Sequence, residues 1–342
     1  MAKLPKNVAE AAIIPSLREH LISQGKVRDT YAVPGYDDFL LLCASDRLSI
    51  FDFVLSVLVP FKGEVLTALT RFWLVDVIKD VVDHLACSEA PPYQNLVVDV
   101  AKQYPDLPVS SCLMVRKINV LPYELIFRAH IGGSVWGQYQ KDGIVAGIKL
   151  RPGLTKWAKL NNALFTPSTK SADGHDVNVP AQQFFAEMGE RGDAIVDMCH
   201  LAYQQAYDYA AARGIIILDT KFEGSWDCIG DEVLTPDSSR FTDIEGWRQA
   251  LEKGGDPPFY DKEPVRTWGR TVLTPFHDMN GELIVGLKGL DPTNDDHLAF
   301  VENLEVPAEV IEAASQRYLD IFQRLTGVSL EEYQREQLLA KS

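Results

Sequence analysis

No C-x-x-C pair and no H-E-x-x-H motif occurs in the 342 residues, and no apolar run approaches the about 18 residues that a membrane span needs. The five cysteines, Cys43, Cys87, Cys112, Cys199 and Cys228, are odd in number and widely scattered. That spacing argues against a disulfide framework or a structural zinc site and for free thiols in a reducing compartment. Without H-E-x-x-H, zinc-hydrolase chemistry has no support. Positive charge is scarce: 33 Lys and Arg stand against 48 Asp and Glu, a net charge of −15. Such a chain is poorly suited to nonspecific contact with nucleic acid or anionic membrane, so neither is expected as a partner. The segment "MAKLPKNVAEAAIIPSL" has no long apolar stretch followed by a small-residue cleavage site, so a cytoplasmic location is expected. Internal repeats and low-complexity tracts are also missing.

What is present is an ordinary globular mixture. Hydrophobic residues make up 46% and charged residues 24%, enough for a sizeable core. The stretch from Gly25 to Cys43 predicts a β-hairpin turning at Pro34-Gly35, and "EVLTALTRFWLVDVIKDVVDHL" has the three- and four-residue apolar steps of a helix. Residues 90–108 read as connection, and "SCLMVRKINVLPYELIFRAHI" as two strands around Pro122. Residues 151–180 read as a long loop, of the kind that is usually functional. "DAIVDMCHLAYQQAYDYAAARG" predicts a helix stopped by Gly214, feeding the strand "IIILDT", and a terminal helix runs from Pro307 to Gly327.

The unusual segment is Leu218 to Phe241, "LDTKFEGSWDCIGDEVLTPDSSRF", with six acids against one Lys and one Arg. Residues two apart in a strand share a face, so Asp219, Lys221 and Glu223 point together while Thr220 and Phe222 point the other way. An acid–base–acid face is either a solvated surface held by cross-strand pairs or a nucleotide site, with Lys on phosphate oxygens and a carboxylate on Mg²⁺. In the second case Asp231 or Glu232 would supply another carboxylate, since Mg²⁺ takes one or two carboxylates plus substrate phosphates. The turn "TPDSSR" offers hydroxyls, backbone N–H groups and the Arg240 fork to an oxyanion. In "ELIFRAHIGGSVWGQY", Arg128 precedes a glycine pair and Ser134 at a helix start, a composition equally consistent with an anion site or a plain strand–turn–helix. "GKVRDTY" carries Gly25, Lys26 and Arg28 but is neither a Walker A nor a G-x-G-x-x-G pattern, so alone it is a weak phosphate loop. "SDRLSIFD" groups Asp46, Arg47, Ser49 and Asp52, where an internal Asp–Arg pair is the sober alternative. "TPSTKSADGHD" holds Ser168, Lys170 and His175 on the long loop.

In this order, "GKVRDTY", "SDRLSIFD", "ELIFRAHIGGSVWGQY", "FTPSTK", "LDTKFE" and "DEVLTPDSSRF" closely resemble the SAICAR synthetase family, from about Gly25 to Trp268 and again in the terminal helix. "DEVLTPDSSRF" is the most specific of the set. The resemblance implies an ATP- and Mg²⁺-dependent ligase of purine biosynthesis. It joins L-aspartate to the carboxylate of carboxyaminoimidazole ribonucleotide (CAIR) through an acyl phosphate, giving SAICAR, ADP and phosphate. Carried over by motif, Lys221, Asp219 and Asp52 belong to the reacting centre; Gly25, Lys26, Arg28 and Lys221 to the ATP phosphates; and Glu223 and Asp231 to the metal. Asp46, Arg47, Ser49, Arg128, Ser134, Asp237, Ser239 and Arg240 face the ribonucleotide, with Ser168, Lys170 and His175 on the aspartate side. The family usually reads D-x-K-x-E-F-G, whereas here Glu223 runs directly into Gly224. Residues 269–305 have no clear family counterpart.

The implied fold is α+β: two mostly antiparallel sheet lobes with an ATP cleft between them and helices outside. The expected division is 1–120, an N-terminal sheet lobe with the ATP segment; 121–245, a lobe with the metal and ribonucleotide site; and 246–342, a C-terminal helical region with an insertion. Sequence leaves monomer and homo-oligomer open.

Overall fold

The strands form separate antiparallel sheets, which a computed structural model describes over residues 3–78, 96–170 and 177–336. The first sheet orders Leu21–Gln24, Arg28–Tyr31, Phe39–Ala44 and Cys112–Arg116. Its inner face buries Tyr31, Leu41, Cys43 and Met114 together with Val97 and Val100 of the helix Leu96–Gln103. The expected hairpin is there, with Gly35 at φ 85 in its turn.

The larger sheet is built on Tyr123–His130, which pairs on one edge with Lys159–Phe165 and Ser168–Thr169 and on the other with Ile215–Gly224. Ser239–Asp243 and the short Ile229–Gly230 then pair with Ile215–Gly224. The helix Glu190–Ala211 covers this sheet with Ile195, Cys199, Ala202, Tyr203 and Ala206. Its Tyr203 hydroxyl donates to the Ile217 carbonyl at 2.7 Å and accepts from the Ala129 N–H at 3.1 Å. The helix is thereby fixed to the two strands that carry most of the charged groups described below. The α+β architecture of antiparallel sheets with external helices is as expected.

Several local expectations change. Residues 90–108 are not only connection, since Leu96–Gln103 is helical. The segment 151–180 contains the strand Lys159–Phe165, hidden in the sequence because its ladder slips between Lys159 and Leu164, which spoils the period-2 pattern around Asn161-Asn162. The helix expected over "EVLTALTRFWLVDVIKDVVDHL" is regular over Lys62–Phe72 and widens into a π turn over Trp73–Val77; its remainder lies outside the described residues. The return strand after Glu223 is split into Ile229–Gly230 and Ser239–Asp243, with Asp231 (φ 57) and Leu234 (φ 53) in the left-handed region between them. The tight turn after Glu223 requires Gly224, because a Cβ there would lie 2.2 Å from the Cys228 carbonyl oxygen. Cys43, Cys112 and Cys199 are buried, whereas Cys228 is disulfide-bonded, against the expectation for that residue.

Candidate active site

The register of the larger sheet sets Asp219 opposite Arg128 on one side and Arg240 on the other. Both guanidiniums donate to the same Asp219 Oδ2. Arg128 also donates from Nε to Thr166 Oγ1 at 3.0 Å and from Nη2 to Ser134 Oγ at 3.2 Å. Arg128 and Asp219 are buried, while Arg240 stays partly open. Two cations on one carboxylate leave a net positive pocket with its forks already oriented, which suits a phosphate. The loop before Ser134 can approach this closely only as glycine. Gly133 has φ +59, and a Cβ on it would stand 2.7 Å from Arg240 Nη1.

One step along the same strand, Lys221 Nζ donates to Glu124 Oε1 at 2.6 Å and to Glu223 Oε1 at 3.4 Å. Lys170 reaches across to the other oxygen of Glu223. Burial alone would lower the Lys221 pKa, but Glu223 and Glu124 outweigh it and hold the ammonium above the ordinary lysine range. Lys221 is therefore a fixed cation. Asp231 pairs with Arg28, whose second nitrogen lies 3.5 Å from Glu232. Burial would raise the Asp231 pKa, yet Arg28, Lys221 and Lys170 hold it below the usual carboxylate range. Glu223 and Asp231 thus share the field of the same two lysines.

Among the described residues no group of three or more His, Cys, Asp or Glu side chains is arranged to hold a metal ion. The two oxygen donors Glu223 and Asp231 nonetheless fit Mg²⁺ bound together with phosphates, because that ion needs only one or two carboxylates when substrate oxygens complete its shell.

Of these groups Gly133, Glu232 and Arg240 line a cleft of about 680 Å³, whereas Arg28, Lys170, Glu223 and Asp231 line neither it nor a smaller chamber beside it. The N-terminal wall of the cleft carries Lys26, Ser49 and Asp52, and the Lys26–Asp52 pair is 2.8 Å long. Seven basic side chains line the cleft against five acidic ones, the reverse of the whole-chain balance. The smaller chamber, of about 170 Å³, holds Arg128, Asp219, Lys221 and Ser239, and shares Asp237, Arg240, Lys262 and Arg266 with the larger cleft.

The remaining sequence candidates are placed as follows. Gly25 closes the strand start, its N–H donating to the Arg28 carbonyl at 2.7 Å. Asp46 accepts from the Gly63 N–H at 2.9 Å and so caps the start of the Lys62–Phe72 helix. Arg47 is wholly buried in a bidentate pair with Asp29. Neither Asp46 nor Arg47 lines these two cavities, because each is consumed by the fold. Ser168 is buried in a strand pairing with Glu124, and Ser239 bonds Thr220 at 2.8 Å. Asp237 lies inside, 2.8 Å from Lys62 Nζ and accepting from the Tyr318 hydroxyl at 2.7 Å. His175 lies outside the described residues.

Sequence reading missed Lys62, Glu124, Lys156, Trp157 and Tyr318, and also Lys262, Arg266, Arg270 and Lys288 on the C-terminal wall. One signal was available: Lys262, Arg266 and Arg270 recur every fourth residue from the N-cap to the C-cap of the helix Glu263–Gly269, a spacing that puts them on one side. Arg270 and Lys288 fall within 269–305, so part of that stretch lines the cleft.

The family model described as SAICAR synthetase matches residues 21–282. A phosphoribosylaminoimidazole-succinocarboxamide synthase of Methylibium petroleiphilum is 36% identical over 314 residues, spanning 90% of this chain and 95% of that protein. The protein of the same description from Schizosaccharomyces pombe is 36% identical over 318 residues, spanning 90% and 94%. Among solved structures, SAICAR-synthase from Saccharomyces cerevisiae complexed with SAICAR superposes with a TM-score of 0.68 at 31% identity, covering 90% of this chain and 95% of that one.

Proposed function

Since the chain belongs to the SAICAR synthetase family, we propose that it joins L-aspartate to the carboxylate of CAIR, converting ATP to ADP and phosphate and releasing SAICAR. The observation that carries this reading is the pairing of two chemistries in the smaller chamber. A double-arginine anion site stands beside a lysine set among carboxylates, inside a chain of net charge −15.

A carboxylate is a poor electrophile until one of its oxygens becomes a leaving group. Transfer of a phosphoryl group to it is mainly positioning and charge neutralisation. Arg128, Ser134 and Arg240 hold the ribonucleotide phosphate, with Asp219 keeping both arginine forks aimed. Lys26 and Lys221, with Gly25 and Arg28 alongside, take the ATP phosphates. Glu223 and Asp231 would hold Mg²⁺, which when bound would supply charge neutralisation for the phosphates. Ser49, Asp52, Asp237 and Ser239 border the substrates, and Lys170 with Ser168 and His175 forms the aspartate side. The amine then attacks the acyl carbon, forming C–N and breaking C–O to phosphate. A cleft walled by the 1–120, 121–245 and 246–342 segments suits an acyl phosphate, which water would otherwise destroy.

The test is ADP release with Mg²⁺–ATP and CAIR, with and without L-aspartate. Aspartate-dependent release with SAICAR formed is the expected result. Release indifferent to aspartate would make the protein a kinase-like phosphotransferase instead.

A further inference from the structure

Amide formation has a proton problem that phosphoryl transfer lacks. Aspartate arrives as an ammonium with no free electron pair, so something in the cleft must take a proton before the C–N bond can form. The side chains that line both cavities are Asp237, Arg240, Lys262 and Arg266. Arginines do not give up their protons in proteins. The Asp237 side chain is buried, with Lys62 Nζ 2.8 Å from one oxygen and the Tyr318 hydroxyl donating to the other at 2.7 Å, so both its oxygens are already engaged. Lys262 is left.

Its setting suits the task. Lys262 immediately precedes the helix Glu263–Gly269, and its side chain is 14% exposed, enough to reach the cleft. Burial is the largest influence on its ammonium. Asp237, 4.0 Å away, and Asp261 favour the charged form, while Arg266 and Lys62 oppose it. The balance lies below the ordinary lysine value, in contrast to Lys221, which is held above it. The two lysines that line the smaller chamber are thereby pushed in opposite directions, one toward a permanent cation and one toward a base.

We propose that Lys262 is the proton acceptor for the aspartate amine. The proposal rests on the ligase reading above. The neutral ε-amine takes one proton from the bound ammonium, and the freed electron pair forms the C–N bond as the acyl C–O bond to phosphate breaks. The second nitrogen proton leaves with the phosphate as hydrogen phosphate, and Lys262 returns its own to solvent.

Lys262→Arg keeps the charge and most of the volume but cannot act as a base. At neutral pH it should lose on the order of 10²-fold in kcat/KM for aspartate. In the wild type, log kcat/KM for aspartate should rise with pH and bend at the Lys262 pKa. In the variant it should climb without that bend, since only aspartate already deprotonated in solution can react. Hydroxylamine, a neutral amine at pH 7, gives a second readout. Used in place of aspartate it should form the hydroxamate with less than a tenfold loss in the variant. An equal loss with both nucleophiles, with parallel pH profiles, would make Lys262 a structural side chain and overturn the proposal. Wild-type ADP release indifferent to aspartate would overturn the ligase reading, and this assignment with it.

Discussion

At the scale of single residues, the site works by crowding charges that would be costly alone. Arg240 shares Asp219 with Arg128, so removing it leaves Asp219 still paired. Arg240→Ala should therefore spare the fold. It should weaken CAIR binding by about 2 kcal/mol, roughly 30-fold, the size of a lost charge-assisted hydrogen bond. Calorimetric titration with CAIR checks this, and unchanged affinity would reject the phosphate assignment. Glu223 is held by Lys170 and Lys221 yet retains one face toward solvent. Glu223→Gln should lower turnover by about 10²-fold and raise the Mg²⁺ concentration needed for half-maximal rate. A wild-type Mg²⁺ dependence in that variant would remove Glu223 from the metal.

Elements matter where their register or their turns bring those residues together. The Tyr123–His130 and Ile215–Gly224 ladder puts Arg128 across from Asp219, and the Gly132-Gly133 turn lets Ser134 come in beside them. Gly133→Ala meets two obstacles, a left-handed φ of +59 and Arg240 Nη1 at 2.7 Å from the new Cβ. The backbone strain should cost about 1 kcal/mol in stability, while the displaced guanidinium should raise KM for CAIR at least tenfold. A thermal melt read beside the kinetics separates the two effects; lost stability with unaltered KM would mean that the turn does not position Arg240. The helix Glu263–Gly269 makes the complementary point, since its fourfold spacing puts Lys262, Arg266 and Arg270 on the same wall.

Across the whole molecule, charge distribution and buried polar groups set the working range of pH. His130 Nδ1 donates to the Trp157 carbonyl at 3.0 Å, its neutral Nε2 accepts from the Tyr207 hydroxyl at 3.1 Å, and burial lowers its pKa to about 4. A histidine whose folded pKa lies below its unfolded value contributes stability that is present at neutral pH. That contribution is lost as pH falls, because the unfolded chain binds the proton first. Between about pH 6.5 and 5 the loss from this one group approaches about 1.4 kcal/mol per pH unit. Urea unfolding at pH 7 and pH 5 should show it, and His130→Gln should flatten the slope. An identical slope in the variant would place the sensitivity elsewhere. The basic lining of the cleft has its own consequence at this scale, since salt should depress kcat/KM for the anionic substrates more than it depresses stability.

The amino-acid sequence by itself determined the local pieces: the hairpin turning at Gly35, the helix Glu190–Ala211, the terminal helix stopped by Gly327, and the strand face shared by Lys221 and Glu223. Those follow from periods of two and 3.6 and from turn residues, which act over a few neighbours. The order of its motifs was also enough to point to the family. Only the tertiary structure decided which face meets which. It buried Arg47 on Asp29, put Lys170 on Glu223, and closed Asp237 between Lys62 and Tyr318. It also made cleft wall of Arg270 and Lys288, from the stretch 269–305 in which sequence reading saw no family counterpart although the family model extends to residue 282 and so includes Arg270. Each of these depends on sheet register or helix docking between segments far apart in the chain. Local period states which side a residue faces and leaves open what stands opposite.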